Sequence, residues 1–288
     1  MYDTVLIATD GSDRTRPAVT HGLALAARYG ATVHALYVVD TRAVSFDEDG
    51  FTDYEAIIGM LTDRGERATA VVAEQARDLG LETETAVVQG TPARGIRRYA
   101  DEHDADLIAM GTRGRGGLAR RMLGSVAASV LEKATQPVLT TRSAVAEREA
   151  DYDRILLPTD GGRQAERVAE HTFDIAARYD ATVHALSVID SRLVTSPGLL
   201  GALEQRSEAA LDAVTDHGER VGVDVKTSVW RGTPSDCITT YAADRDIDLL
   251  TMGAHGKRRL DRFLTANVAE RVVRTASCPT LTLRRQDD

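Results

Sequence analysis

The chain has 288 residues, 43% hydrophobic and 27% charged, a globular balance at a length that fits two domains of ordinary size better than one. Its net charge of -9 and pI near 5.3 oppose non-specific binding to nucleic acid or anionic membranes, and no run approaches the roughly 20 apolar residues of a membrane-spanning helix. Two cysteines, Cys237 and Cys278, rule out a disulfide framework, fit a reducing cytoplasm and read as small buried hydrophobes.

The opening MYDTVLIATDGSD lacks a basic n-region and a long apolar stretch, so it reads as a buried strand running into a turn rather than as a secretion signal. TVLIAT is β-branched-rich and suits a strand covered on both faces. A helix follows from about Asp13 to Tyr29, with Ser12 or Asp13 placed to cap it and Gly30 to end it. ATVHALYVV is the second strand, a longer helix ends near Gly80, and ETETAVV is the third strand. Thr91-Pro92 supplies a cap and a proline at the first helical position of a helix running to about His103. DLIAMG, a helix from Ser125 to Lys133, and PVLTTR complete the set. Strands alternating with helices predict right-handed crossovers and a parallel sheet with helices on both faces.

The same series then repeats. YDTVLIATDGSDR returns as YDRILLPTDGGRQ and AARYGATVHALYVVD as AARYDATVHALSVID, at an offset of 150 that carries Asp10 to Asp160. QGTP returns as RGTP and MGTRG as MGAHG, at an offset of 142 that carries Gly111 to Gly253. The second copy is therefore eight residues shorter somewhere after its second strand. The predicted domains are residues 1–143 and 152–288, joined by the polar linker SAVAEREAD.

Open parallel sheets bind ligands beyond the carboxyl ends of their strands, where the strand order reverses. Asp10-Gly11-Ser12 follows the first strand. Gly111-Thr112-Arg113-Gly114 follows the fourth and continues to Gly124-Ser125, where a helix begins. Glycines admit close backbone approach to an anion, and a helix start offers unpaired N–H groups and a positive dipole end. The stretch from Gly111 to Gly124 holds Arg113, Arg115, Arg120 and Arg121 and no acid, a local sign reversal that fits a phosphate chain. The nine residues between Gly114 and Gly124 would span roughly 30 Å if extended, so over a helix-sized gap they must arch.

Gly111, Gly114, Gly124 and Ser125 reproduce the G-x2-G-x9-G-[S/T] pattern of ATP-binding universal stress proteins, and the chain resembles that family in both copies. The resemblance implies two tandem, doubly wound five-stranded parallel sheets of the adenine nucleotide alpha hydrolase-like type, α/β in class, with strand order 3-2-1-4-5. It implies a nucleotide-binding set of Thr9, Asp10, Val38, Val39, Met110, Gly111, Gly114, Arg115, Gly124, Ser125 and Val126. In that set Asp10 and backbone groups of Val38 and Val39 lie near the adenosine, Met110 and Gly111 near the ribose, and Gly114, Gly124, Ser125 and Val126 on the phosphates. The second copy keeps Asp160, Gly253 and Gly256 but has Ala266-Asn267 in place of Gly-Ser. A Cβ at 266 would obstruct a close approach or a positive φ, while Asn267 remains able to cap a helix. This site is expected to be weakened or empty for ATP, although Lys257, Arg258, Arg259 and Arg262 keep its arch basic against Asp261.

Plainer readings stand beside these. Asp10 alone would be a strand end and helix cap, Ser125 is expected to cap its helix, and the four arginines alone would be a solvated loop. GRGGLA matches a dinucleotide-fold string only weakly, because it follows the fourth strand, and no G-x4-G-K-[S/T] string exists. His34 and His184 repeat within the second strand, which favours packing or hydrogen bonding, and no Cys/His spacing suggests a metal. No constellation of base and nucleophile stands out.

The expected protein is a cytoplasmic, ATP-binding stress-response protein, non-catalytic or at most a slow ATPase, holding ATP, with or without Mg, mainly in its first domain. No nucleic acid or membrane partner is expected. By resemblance, PVLTTR and PTLTLR would pair the two domains as an intramolecular pseudo-dimer, and two chains could associate further. The alternatives are a scaffold that binds no nucleotide and signals through protein contacts, and an adenylate-transferring enzyme on the related fold. The second lacks its SGGxDS-type loop, since TDGSDR stands after the first strand.

Overall fold

A computed structural model describes residues 1–43, 54–114, 123–145, 150–254 and 266–284. The chain divides into two compact units, residues 1–146 and 147–288.

The first unit runs β1 (Thr4–Ala8), α1 (Arg16–Tyr29), β2 (Thr32–Asp40), α2 (Tyr54–Asp78), β3 (Thr83–Gly90), α3 (Pro92–Glu102), β4 (Leu107–Gly111), α4 (Ser125–Lys133) and β5 (Val138–Thr141). Its strands lie in the order β3-β2-β1-β4-β5 with all pairs parallel. Alternate side chains of the central strands enter opposite layers. Leu6, Leu36, Ile108 and Met110 meet Ile96, Tyr99 and Ala100 of α3 and Val130 of α4. On the other face, Tyr37 and Val39 pack with Ile58 of α2. Every residue of β4 is buried, as a strand covered on both sides requires.

The second unit repeats the plan: β6 (Arg154–Pro158), α5 (Arg163–Tyr179), β7 (Thr182–Asp190), α6 (Pro197–Val221), β8 (Val225–Gly232), α7 (Pro234–Asp244), β9 (Leu249–Ala254), α8 (Ala266–Thr275) and β10 (Thr280–Arg284). Its strands lie in the order β8-β7-β6-β9-β10, again parallel. Each unit is thus a doubly wound five-stranded sheet in the expected order 3-2-1-4-5. Most of the second copy's shortening falls between β7 and α6, where Ser191 to Ser196 stands against Thr41 to Asp53 of the first copy. Among the described residues no helix is long and apolar enough to cross a membrane.

Local rules explain the element ends. Gly30 closes α1 at φ 64°, its amide donating to the Ala27 carbonyl, a left-handed corner that glycine adopts without a Cβ penalty. Asp180 makes the same corner after α5 at φ 55°, which a short polar side chain tolerates. The start of α1 departs from expectation. The helix begins at Arg16 behind an N-cap at Thr15, and neither Ser12 nor Asp13 caps it. Residues 12–15 form a turn closed by the Thr15 amide on the Ser12 carbonyl at 3.0 Å, and the Ser12 side chain is engaged further upstream.

Helical glycines divide by their surroundings. At Gly22 of α1 an added Cβ would lie 2.8 Å from the Ala109 Cβ on β4, so the helix sits close to the sheet there. At exposed Gly59 of α2 a Cβ would meet nothing within 4 Å. Gly59→Ala is expected to raise stability by about 0.5–1 kcal/mol through restricted unfolded-chain freedom, read as a higher urea midpoint at unchanged m-value. An equal or lower midpoint would refute it.

Candidate functional site

The crevice forms because neighbouring strands end at different heights. β1 stops at Ala8, level with Leu36 of β2 and Met110 of β4, and the Thr9 amide still donates to the Leu36 carbonyl. β2 runs on to Asp40, so Val38 and Val39 extend beyond the end of β1. Val38 turns its side chain toward α3, where Gly95 leaves room for it, and Val39 turns toward α2. Their backbone therefore borders the step that β1 leaves.

Asp10 occupies that step. Its Oδ1 accepts the Ser12 amide at 2.9 Å and the Ser12 hydroxyl at 2.6 Å. The Gly11 amide donates to Thr9 Oγ1 at 3.0 Å, and Gly11 has a φ of 69°, in the region where glycine is favoured. Asp10 thus builds the turn after β1 and does not cap α1.

The glycine loop comes back to the same place. A Cβ on Gly114 would stand 2.8 Å from Oδ2 of Asp10, so only a bare backbone passes the carboxylate this closely. Arg14 donates through Nη1 to the Gly114 carbonyl at 3.1 Å, which ties the turn after β1 to the first limb of the arch. Its feet are clasped together. The Gly124 amide donates to the Thr112 carbonyl at 2.9 Å, and the Thr112 amide donates to Thr141 of β5 at 3.0 Å. A Cβ on Gly124 would lie 3.1 Å from that Thr112 oxygen. Gly124 has ordinary extended dihedrals, φ −65° and ψ 145°, so close approach, not positive φ, is what selects glycine. Gly124 is also the N-cap of α4, and its side-chain-free cap makes no capping bond. Ser125, expected as the cap, is instead the first helical residue. Val126, one position further, packs against the core below.

Among the residues singled out from sequence, Thr9, Asp10, Val38, Val39, Met110, Gly111, Gly114, Gly124, Ser125 and Val126 therefore gather at the carboxyl end of one sheet, around β1 and β4. Arg115 and the rest of the arch, 115–122, lie outside the described residues. Near the arch, burial and the neighbouring Arg113 lower the affinity of the Arg142 guanidinium for its proton, a crowding of like charge that an anion would relieve. Sequence reasoning missed Arg14 and the clip in which the Arg42 Nε donates to Asp40 at 2.9 Å. That clip holds Asp40 below the usual carboxylate range. A signal for it existed: Asp190 and Arg192 repeat it at 2.8 Å. A separate cavity of about 490 Å³ opens between α1 and α2, bordered by Thr9, Ser12, Arg16, Arg64 and Arg67. Gly111, Gly114 and Gly124 do not line it.

In the second unit Asp160 builds the same turn, accepting the Gly162 amide at 2.9 Å, with Gly161 at φ 67°. Residues 255–265, including Gly256 and the basic residues of the second arch, lie outside the described residues. Helix α8 begins at Ala266, so Asn267 falls inside its first turn and is not its cap. The histidines repeated in the second strand are engaged by tyrosines: His34 Nδ1 shares a hydrogen bond with the Tyr99 hydroxyl at 3.1 Å, and His184 Nδ1 with that of Tyr241 at 3.0 Å.

The model of the universal stress protein family matches residues 1–142 and 151–284. A universal stress protein of Methanocaldococcus jannaschii is 38% identical over 143 residues, spanning 49% of this chain and 83% of its own length. One from Synechocystis is 25% identical over 304 residues, spanning 97% of this chain and 99% of its own. The crystal structure of a universal stress protein from Archaeoglobus fulgidus has the same fold, with a TM-score of 0.75 at 21% identity over 99% of this chain and 97% of its own.

Proposed function

The chain belongs to the universal stress protein family, and from that premise we propose that it is a cytoplasmic stress-response protein that binds ATP in its first unit without turning it over at an appreciable rate. The observation that carries this reading is the contact between the two loops: Gly114 passes the Asp10 carboxylate so closely that a Cβ would fall 2.8 Å from it. The arch this contact anchors runs to the first turn of α4 and contains four arginines and no acid. A backbone cradle without side chains, a helix start and local positive charge are the elements that hold a polyphosphate.

The set fits ATP by function as well as by place. The Val38 and Val39 backbone, Thr9 and Asp10 would hold the nucleoside, Met110 and Gly111 the sugar, and Gly114, Arg115, Gly124, Ser125 and Val126 the phosphates, with or without Mg. Bound nucleotide would bring its own phosphate charge into the crevice, and the chain's residues would position it there. Storage rather than chemistry is favoured because the carboxylates nearest the crevice are already engaged, Asp10 by Ser12 and Asp40 by Arg42. That leaves no poised general base among them.

Equilibrium dialysis of the nucleotide-stripped full chain against radiolabelled ATP tests the reading. One saturable site per chain is expected, with phosphate release no faster than a slow background. No saturable uptake would overturn it in favour of a scaffold acting through protein contacts.

A further inference from the structure

At the opposite end of the first sheet stands a second cluster that the nucleotide reading leaves unused. His34 lies near the start of β2, directly opposite Glu84 of β3 in the parallel register. His103 is the C-cap of α3, the helix that returns over these strands. One ligand atom from each of the three falls within 4.8 Å of the others. His34 Nδ1 is 3.9 Å from a Glu84 carboxylate oxygen, and the His34 and His103 rings are 5.4 Å apart at their centroids. His34 is level with Leu6 of β1 and Ile108 of β4, three positions before Gly111 where the arch begins, so the cluster lies toward the amino ends of these strands and outside the crevice.

We propose that His34, Glu84 and His103 form a divalent transition-metal site, suited to zinc by its two imidazoles and one carboxylate. Two histidines with a glutamate are a ligand set that zinc accepts with one position left open to water. Tetrahedral bonds of about 2.0–2.2 Å put ligand atoms about 3.3 Å apart, so the cluster must draw in by about 1.5 Å. Its two exposed members, Glu84 and His103, have the freedom to do so. His34 is the fixed member, buried in the sheet. The surroundings agree in sign. His103 ends α3, and the unpaired carbonyls and negative dipole end of a helix terminus favour positive charge nearby. Tyr99 stacks its ring on His103 at 4.0 Å and so fixes that ring's orientation, while its hydroxyl shares a 3.1 Å hydrogen bond with His34 Nδ1 that a metal ion at that nitrogen would displace.

The second unit provides an internal contrast. It keeps His184 and its Tyr241 partner, but Lys226 stands opposite His184 in the register and Arg245 is the C-cap of α7. Two ligands have become two cations, so the fold does not by itself require the trio. Among the described residues this trio therefore occurs in the first unit and not at the matching positions of the second.

Calorimetric titration of the chelator-stripped full chain with zinc chloride, in a non-coordinating buffer, is the test. One equivalent per chain is expected for the native sequence. His103→Ala and Glu84→Gln, both at exposed positions, should each weaken zinc binding by more than about 100-fold, beyond the 10–100-fold typical for loss of an outer-shell partner. Circular dichroism and ATP uptake should be unchanged in both. Cobalt(II) in place of zinc should give visible absorption that disappears in the same two variants. Absence of saturable zinc uptake by the native chain, or uptake unaltered in His103→Ala, would overturn the assignment.

Discussion

Gly124→Val is expected to lower ATP affinity at least about 100-fold, or about 2.7 kcal/mol, while the chain still unfolds cooperatively. Valine adopts the φ of −65° and ψ of 145° found here without strain. The loss would come from space. A first Cβ would already lie 3.1 Å from the Thr112 carbonyl and 3.5 Å from Arg113 Cα, and two further methyl groups must push the feet of the arch apart. That opens the 2.9 Å bond from the Gly124 amide and turns the first N–H groups of α4 away from a bound phosphate. Gly124 is partly exposed at the end of the sheet, so the cores are spared. Ala266→Val, the matching change in the second unit, should do little, because that position already carries a Cβ. Titration of both variants with a fluorescent ATP analogue decides the matter: equal losses from the two would show that the units do not differ as proposed.

The second large effect is on stability in mild acid. Burial lowers the pKa of His21, His171 and His184 from 6.5 to about 4. For each, the unfolded chain takes up a proton below pH 6.5 that the folded chain refuses until about pH 4. Stability is therefore complete above pH 6.5 and is lost as pH falls through that window. His21, at 1% exposure, should contribute a loss of about 2 kcal/mol between pH 6.5 and 5, at roughly 1.4 kcal/mol per pH unit. Urea midpoints measured across this range should fall steadily with pH, and His21→Gln should flatten the slope by about one proton. An unchanged slope in that variant would show that His21 protonates freely in the folded state.

Most of the architecture was legible in the sequence because the two copies report on each other. TVLIAT and its partner in the second copy, the alternation of strand and helix, and Gly30 at a helix end all carried local signals that the fold did not override. The helix starts were less legible. Ser12 and Asp13 have the chemistry of caps, but the Ser12 hydroxyl and amide both turn back to Asp10, so α1 begins later. Ser125 likewise yields the cap to Gly124, where the backbone bond to Thr112 leaves no room for a side chain. The spacing of the glycines pointed to the crevice, yet the reason for each glycine depends on contacts between residues a hundred positions apart, such as Gly114 with Asp10. The trio of His34, Glu84 and His103 had no sequence signature at all, because a strand register and a helix end bring it together.

The corner at residues 30 and 180 bears on how the halves diverge. A glycine in one and an aspartate in the other meet a single backbone demand, so drift since the duplication has been filtered by dihedral angle rather than by chemical class. Asparagine at residue 30 would pass that filter almost silently, whereas valine or isoleucine would be rejected even though the position is open to solvent. Divergence between the repeats is thus steered by conformational permission at such corners, leaving charge and polarity there free to wander.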